Sequence, residues 1–247
     1  MTEPSGSVAT IGRSTGAGRR AARAAIFVTA GAVLVVSLFM GWYLVGGSSN
    51  ACNANELLYP FWVTVSSSGS YCPAAETGSF SAAGLPVTGV LYLAVAALSV
   101  AAAFLAFFAA GLLLVRKWDY RSRGLLIVVL AALVIGAAAP TMVALGQPST
   151  VCSDQGFKSI PFVVSLASGS SPSCNGWSFW SGNGTSWTWT GNSGPWHSFF
   201  GSTVLSDASF AWGPSTGWFF DLWGLALLGI GIYALRKKGG SEPGGKV

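Results

Sequence analysis

The chain has 247 residues, of which 51% are hydrophobic and only 9% charged. A soluble domain carries about 25% charged residues, so this composition excludes a protein with a water-facing surface all round. The net charge of +5 does not point to nucleic acid, because the basic residues sit in short groups beside long apolar runs.

Residues 1–23 open the chain with Gly, Ser and Thr and then Arg13, Arg19, Arg20 and Arg23. They predict a cytoplasmic tail, disordered over 1–18. Residues 24–45 form the first apolar run. About 20 helical residues cross a bilayer core of about 30 Å, so the run predicts a spanning helix. It exceeds a signal peptide's usual apolar stretch of about 7–15 residues and lacks an A-x-A site, which predicts an uncleaved anchor.

An outer loop is expected over 46–84, with Cys52 and Cys72 in it. Phe61-Trp62-Val63-Thr64-Val65 is aromatic and β-branched, hence strand-like. Residues 85–115 give the second span; as one helix they measure about 46 Å and must tilt or project. The link 116–123 carries Arg116, Lys117, Arg121 and Arg123. The third span is expected over 124–145, where Pro140 should kink it. The second outer loop, 146–217, holds Cys152 and Cys174, a strand-like Phe162-Val163-Val164-Ser165-Leu166, and an insert over 175–207. Within the insert, Ser186-Trp187-Thr188-Trp189-Thr190 alternates as a strand does. The fourth span follows over 218–235, and residues 236–247 form a basic, Gly-rich tail.

Basic residues thus flank the spans on one side, while the two outer loops hold a single one, Lys158. The positive-inside rule then puts both termini in the cytoplasm, in the plasma membrane. The cysteines lie on the oxidising side, where four of them imply two disulfides with three connectivities. Cys52 and Cys152 are offset by 100 positions, Cys72 and Cys174 by 102, and Pro60-Phe61-Trp62-Val63 matches Pro161-Phe162-Val163-Val164. Ser79-Phe80 before Gly84 and Pro86 resembles Ser209-Phe210 before Gly213 and Pro214. These matches predict a tandem repeat of helix, Cys-loop and helix over 24–115 and 124–235. The copies are parallel, related by an axis along the membrane normal. Pairings Cys52–Cys72 and Cys152–Cys174 then close each copy on itself. The expected fold is an all-α membrane bundle of four transmembrane helices, with a small extracytoplasmic β-containing domain in which the two loops pair.

No phosphate loop, dinucleotide fingerprint, HExxH or GxSxG occurs, and His197 is the sole imidazole. A non-enzyme without cofactor or metal is expected. Trp177, Trp180, Trp187, Trp189 and Trp196 crowd the insert, and Trp is enriched in binding hot spots. They predict a partner-binding surface for another membrane or envelope protein, or for self-association. The alternative ligand is a glycan, bound by a membrane-anchored carbohydrate-binding protein. Asn183-Gly184-Thr185 fits the N-glycosylation sequon. Asp221 is the only acidic residue in the four runs; such residues mark ion or proton paths, which makes a small transporter or channel the other alternative. Runs of small residues, Ala101-Ala102-Ala103, Ala109-Ala110-Gly111 and Gly136-Ala137-Ala138-Ala139, allow close helix packing in lipid.

Four helices, cytoplasmic termini and disulfide-bearing outer loops resemble the general plan of claudins and tetraspanins over about residues 24–238. The first loop lacks the W-x-x-G-L-W signature of claudins, and the second lacks the C-C-G of tetraspanins. Residues 211–218, Ala-Trp-Gly-Pro-Ser-Thr-Gly-Trp, look like the loop-to-helix junction of uncharacterised prokaryotic tetraspan proteins. The resemblance implies topology and no activity. The function expected is a structural or accessory subunit of a membrane assembly.

Overall fold

The computed structural model describes residues 16–70, 72, 74–115, 123–154, 178–184, 198–205 and 208–236. Four helices are long and apolar enough to span a membrane: α1 (Gly16–Ser37), α2 (Pro86–Leu114), α3 (Arg123–Ser153) and α4 (Thr216–Arg236). Strands β1 (Tyr43–Ser49), β2 (Asn53–Leu58), β3 (Val63–Ser68) and β4 (Glu76–Gly78) lie between α1 and α2. Strands β5 (Ser178–Gly184), β6 (Ser198–Leu205) and β7 (Ala208–Pro214) precede α4. The fold is therefore mixed α/β rather than all-α with a small β appendage. Both loops do enter one sheet, of order β4-β3-β2-β1-β7-β6-β5, antiparallel except for the β5–β6 pair.

The central strands grow directly from the short helices. α1 stops at Ser37, where the tight turn through Leu38, Phe39 and Met40 leads into β1. β7 ends at Pro214, and Ser215 donates its N–H to Trp42 O at 2.9 Å. Gly217 N–H then reaches Gly41 O at 2.7 Å. A Cβ on Gly217 would stand 2.5 Å from Trp42 Cδ1 and 2.8 Å from Met40 O, so this crossing requires glycine. The first span is thus shorter than 24–45 at its outer end. Tyr43-Leu44-Val45 is apolar because it forms the buried centre of a sheet. At its N-terminal end the helix begins at Gly16, inside the expected tail, with Arg20 and Arg23 continuing the helical turn.

α1 and α4 have 22 and 21 residues, whereas α2 and α3 have 29 and 31. At 1.5 Å per residue the α2–α3 hairpin outruns the other pair by about 12 Å. The α2–α3 hairpin therefore extends past α1 and α4, and the sheet packs on the extension. α3 runs on through Pro148 to Ser153, beyond the expected end at 145, because Val143, Gln147, Val151 and Cys152 form one buried stripe on it. Cys152 is consequently a helical residue. Arg123 and Arg236 belong to helices, not to the flanking link and tail.

Small residues form the seams of the lower bundle, as expected. Ala102, Ala103, Ala106, Ala109 and Ala110 are buried on α2. Leu34 lies where a Cβ on Gly224 would come within 2.7 Å of it, and Phe27 fills the space over Gly231. Outward-facing side chains are apolar: Val90, Phe104, Ile127, Val134 and Trp223 are each at least 64% exposed, the surface hydrocarbon would cover.

Candidate functional site

The sheet has two chemically different faces. Its inner face buries Tyr43, Val45, Ala54, Leu58, Val63 and Val65 over the hairpin. Its outer face follows the alternate positions. In the central row Ser66 pairs with Asn55, Asn55 with Gly46, Gly46 with Ala211, and Ala211 with Ser202. In the next row Asn53, Ser48 and Ser209 stand side by side. Small side chains at the centre leave a trough of about 490 Å³, walled by Leu44 and by the amides of Asn53 and Asn55. Among the described residues, no charged side chain lines it. Hydroxyls and carboxamides without charge suit a neutral, hydrogen-bonding surface.

The first ring of the sheet is held covalently. Cys52 sits in the β1–β2 turn and bonds to Cys72, beyond β3, with Cα atoms 5.2 Å apart. Ser49 shapes that turn: its N–H donates to Cys52 O at 2.8 Å, and Cys52 N–H donates to its Oγ at 3.1 Å. Gly69 adopts φ +130°, where Ala51 O would crowd any Cβ. The strand expected over 61–65 begins only at Val63, because Tyr59 to Trp62 form the hairpin turn, with Tyr59 and Trp62 stacked at 4.8 Å.

Of the second pair, Cys152 is disulfide-bonded, while Cys174 lies outside the described residues. Trp180 and Asn183 fall in β5, paired with Phe200 and Ser202 of β6. Trp177, Trp187, Trp189 and Trp196, like His197 and the stretches 162–166 and 186–190, lie outside the described residues. The duplication fails to extend to local structure: Ser79 and Phe80 lie in the turn before α2, but Ser209 and Phe210 lie in β7.

No family model, curated protein or solved structure matches this chain.

Asp221 lies on the inward face of α4, one turn inside Gly217, and is fully buried. Ser99 of α2 donates its hydroxyl to Asp221 Oδ1 at 3.1 Å, while Oδ2 has no hydrogen-bond partner. Ser37, the last residue of α1, neighbours the same carboxyl but spends its hydroxyl on Leu34 O at 2.7 Å. Three helices thus bring polar side chains to one depth. Toward the opposite end of the bundle the core is Ala, Leu and Phe.

Asp154 has a role that its position did not advertise. It follows α3 and accepts from the first N–H groups of α2, Val87 N at 2.9 Å and Thr88 N at 2.8 Å, one on each carboxylate oxygen. Pro86 at the start of α2 has no N–H, and Leu85 offers no side-chain cap, so a carboxylate 67 residues away supplies it. Along the same interface, Tyr43 OH, Thr88 Oγ1, Tyr92 OH and both amide atoms of Gln147 are buried without a hydrogen-bond partner. Burial pushes the Tyr43 phenol well above its usual value near 10.

Proposed function

We propose that the chain is a non-catalytic plasma-membrane protein, a structural or accessory subunit of an envelope assembly that binds a partner protein through its extracytoplasmic sheet. The observation that carries this reading is the trough, uncharged among the described residues, on the outer face of a sheet to which both outer loops contribute. A disulfide and the projecting hairpin hold that face away from the bilayer, and the sheet ends in the edge strands β4, of three residues, and β5. Arg20, Arg23, Arg123 and Arg236 lie at the opposite end of the bundle, which supports cytoplasmic termini.

Purification from native membranes in mild detergent tests it. A discrete heteromeric or homomeric species is expected. Ala211→Trp, filling the exposed centre of the trough, should weaken retention about tenfold, the ~1.4 kcal/mol scale of a central interface position. A monomer with no partner, or an assembly indifferent to Ala211→Trp and Leu44→Arg, sinks the reading.

The unpartnered carboxylate oxygen of Asp221 favours a second reading, a small transporter or channel in which Asp221 takes an ion or proton. Liposome flux abolished by Asp221→Asn would promote it; proteoliposomes that pass nothing would retire it.

A further inference from the structure

The seam between α3 and α4 carries a second cavity, unrelated to the sheet. It is an apolar crevice of about 300 Å³. On α3 its wall is Ala137, Thr141 and Ala144, spaced i, i+4, i+7, around Pro140. On α4 the facing wall is Trp218, Leu222 and Leu225, with the same spacing. The two helices meet where Trp218 Nε1 donates to Pro140 O at 3.1 Å. They meet again where a Cβ on Gly136 would come within 2.6 Å of Leu225 Cδ2. Beside these contacts the short side chains of α3 leave space that the large side chains of α4 do not fill.

We infer that this crevice binds one acyl chain of an outer-leaflet phospholipid. Three observations select that occupant. Every wall residue belongs to a spanning helix, and the rim residues Leu145 and Leu222 are 55% and 37% exposed on the apolar outer surface, so the adjoining solvent is hydrocarbon. The polar groups in the wall are already engaged: Thr141 Oγ1 donates to Ala137 O at 2.7 Å, and Trp218 bonds Pro140. Nothing is left to hold water or a polar ligand. Third, Trp218 stands at the outer end of α4, the depth at which an indole marks the interface, so the crevice runs inward from the headgroup level along the path of a chain. At roughly 30 Å³ per small group, the space accepts on the order of ten methylenes.

Trp218 reports directly on occupancy. The full chain is reconstituted into nanodiscs of phosphatidylcholine containing a rising fraction of chain-brominated lipid. The Trp218 signal is the difference between wild type and Trp218→Phe. The expected result is quenching that saturates at low fractions, and loss of that saturable component when Ala144→Phe or, from the other wall, Leu222→Phe fills the crevice with Trp218 retained. Wild-type protein should also keep a stoichiometric phospholipid through detergent exchange, and Ala144→Phe should not. Quenching in proportion to the bulk fraction, unaltered by either filling variant, overturns the proposal. So does a co-purified protein whose removal is needed before lipid can quench Trp218, since the crevice then seats a partner helix.

Discussion

The inner half of the helix bundle and the region under the sheet solve the packing problem in opposite ways. In the inner half, Ala and Gly on one helix receive Leu and Phe from the next, as Gly224 receives Leu34 and Gly231 receives Phe27. Among the described residues, every buried polar side chain lies at or outward of the level of Ser37, Ser99 and Asp221. Under the sheet, by contrast, Trp42, Tyr43, Phe80, Tyr92, Phe199 and Trp212 fill the core, and hydroxyls and an amide are sealed in with them. The lesson is one of solvent. In helices apolar enough to lie in hydrocarbon, close contact between small and large residues carries most of the packing. Outside it, a sheet must be fastened to a hairpin by caps, a disulfide and large aromatic side chains.

Removing the disulfide should break this comparison most visibly. Cys52→Ser with Cys72→Ser opens a ring of sequence separation 20, a loss of about 3 kcal/mol in the chain-entropy model. The loss should fall on one region: protease cleavage within β1–β4 should rise while helical circular dichroism in detergent holds. Equal loss of sheet and helix signals would mean that the two regions melt as one unit.

The four helices long and apolar enough to span a membrane were legible because hydropathy is a local property. The boundaries were less so. Tyr43-Leu44-Val45 is as apolar as a helix end but is a buried strand, and hydropathy cannot tell the two apart. Gly146 and Pro148 read as a loop, yet α3 stays helical there because the hairpin packs Val143, Gln147 and Val151 on one face. The expectation of one shared sheet held; its extent did not, since β7 and β1 pair across more than 150 positions of sequence. The trough was illegible for the same reason: Gly46, Asn55, Ala211 and Ser202 become neighbours only through that pairing. Asp154 is the sharpest case, a carboxylate among scattered loop acids until α2 and α3 are antiparallel.

That cap gives the next effect in size. Asp154→Ala leaves the N–H groups of Val87 and Thr88 without their acceptors at a half-buried helix start, and should cost about 1–2 kcal/mol of thermal or denaturant stability. Asp154→Asn keeps one carbonyl oxygen and should recover part of the loss. Because the cap joins the two long helices, hydrogen exchange should quicken at the first turn of α2 and not along α1 or α4. Uniform acceleration would show that the cap supports the whole bundle rather than its projecting end.

The smallest effect has the opposite sign and probes the sealed polar groups. Tyr43→Phe deletes a buried hydroxyl that makes no hydrogen bond, so desolvation is relieved without a bond being lost, and a gain of up to about 1 kcal/mol is expected. Thr88→Val, nearly isosteric, should behave alike. The pH dependence follows from the raised phenol. Folded Tyr43 holds its proton well above pH 10, while the unfolded chain releases it near 10. Its contribution is therefore complete below about pH 10 and drains away as the pH climbs from there toward the folded value. Tyr43→Phe should accordingly move alkaline unfolding to higher pH, and leave the stability curve between pH 6 and 8, to within the ~1 kcal/mol gain, parallel to that of the wild type. A loss of stability in both variants would mean that these hydroxyls are bridged inside the core, and the contrast between a dry bundle and an under-satisfied sheet interface would have to be withdrawn.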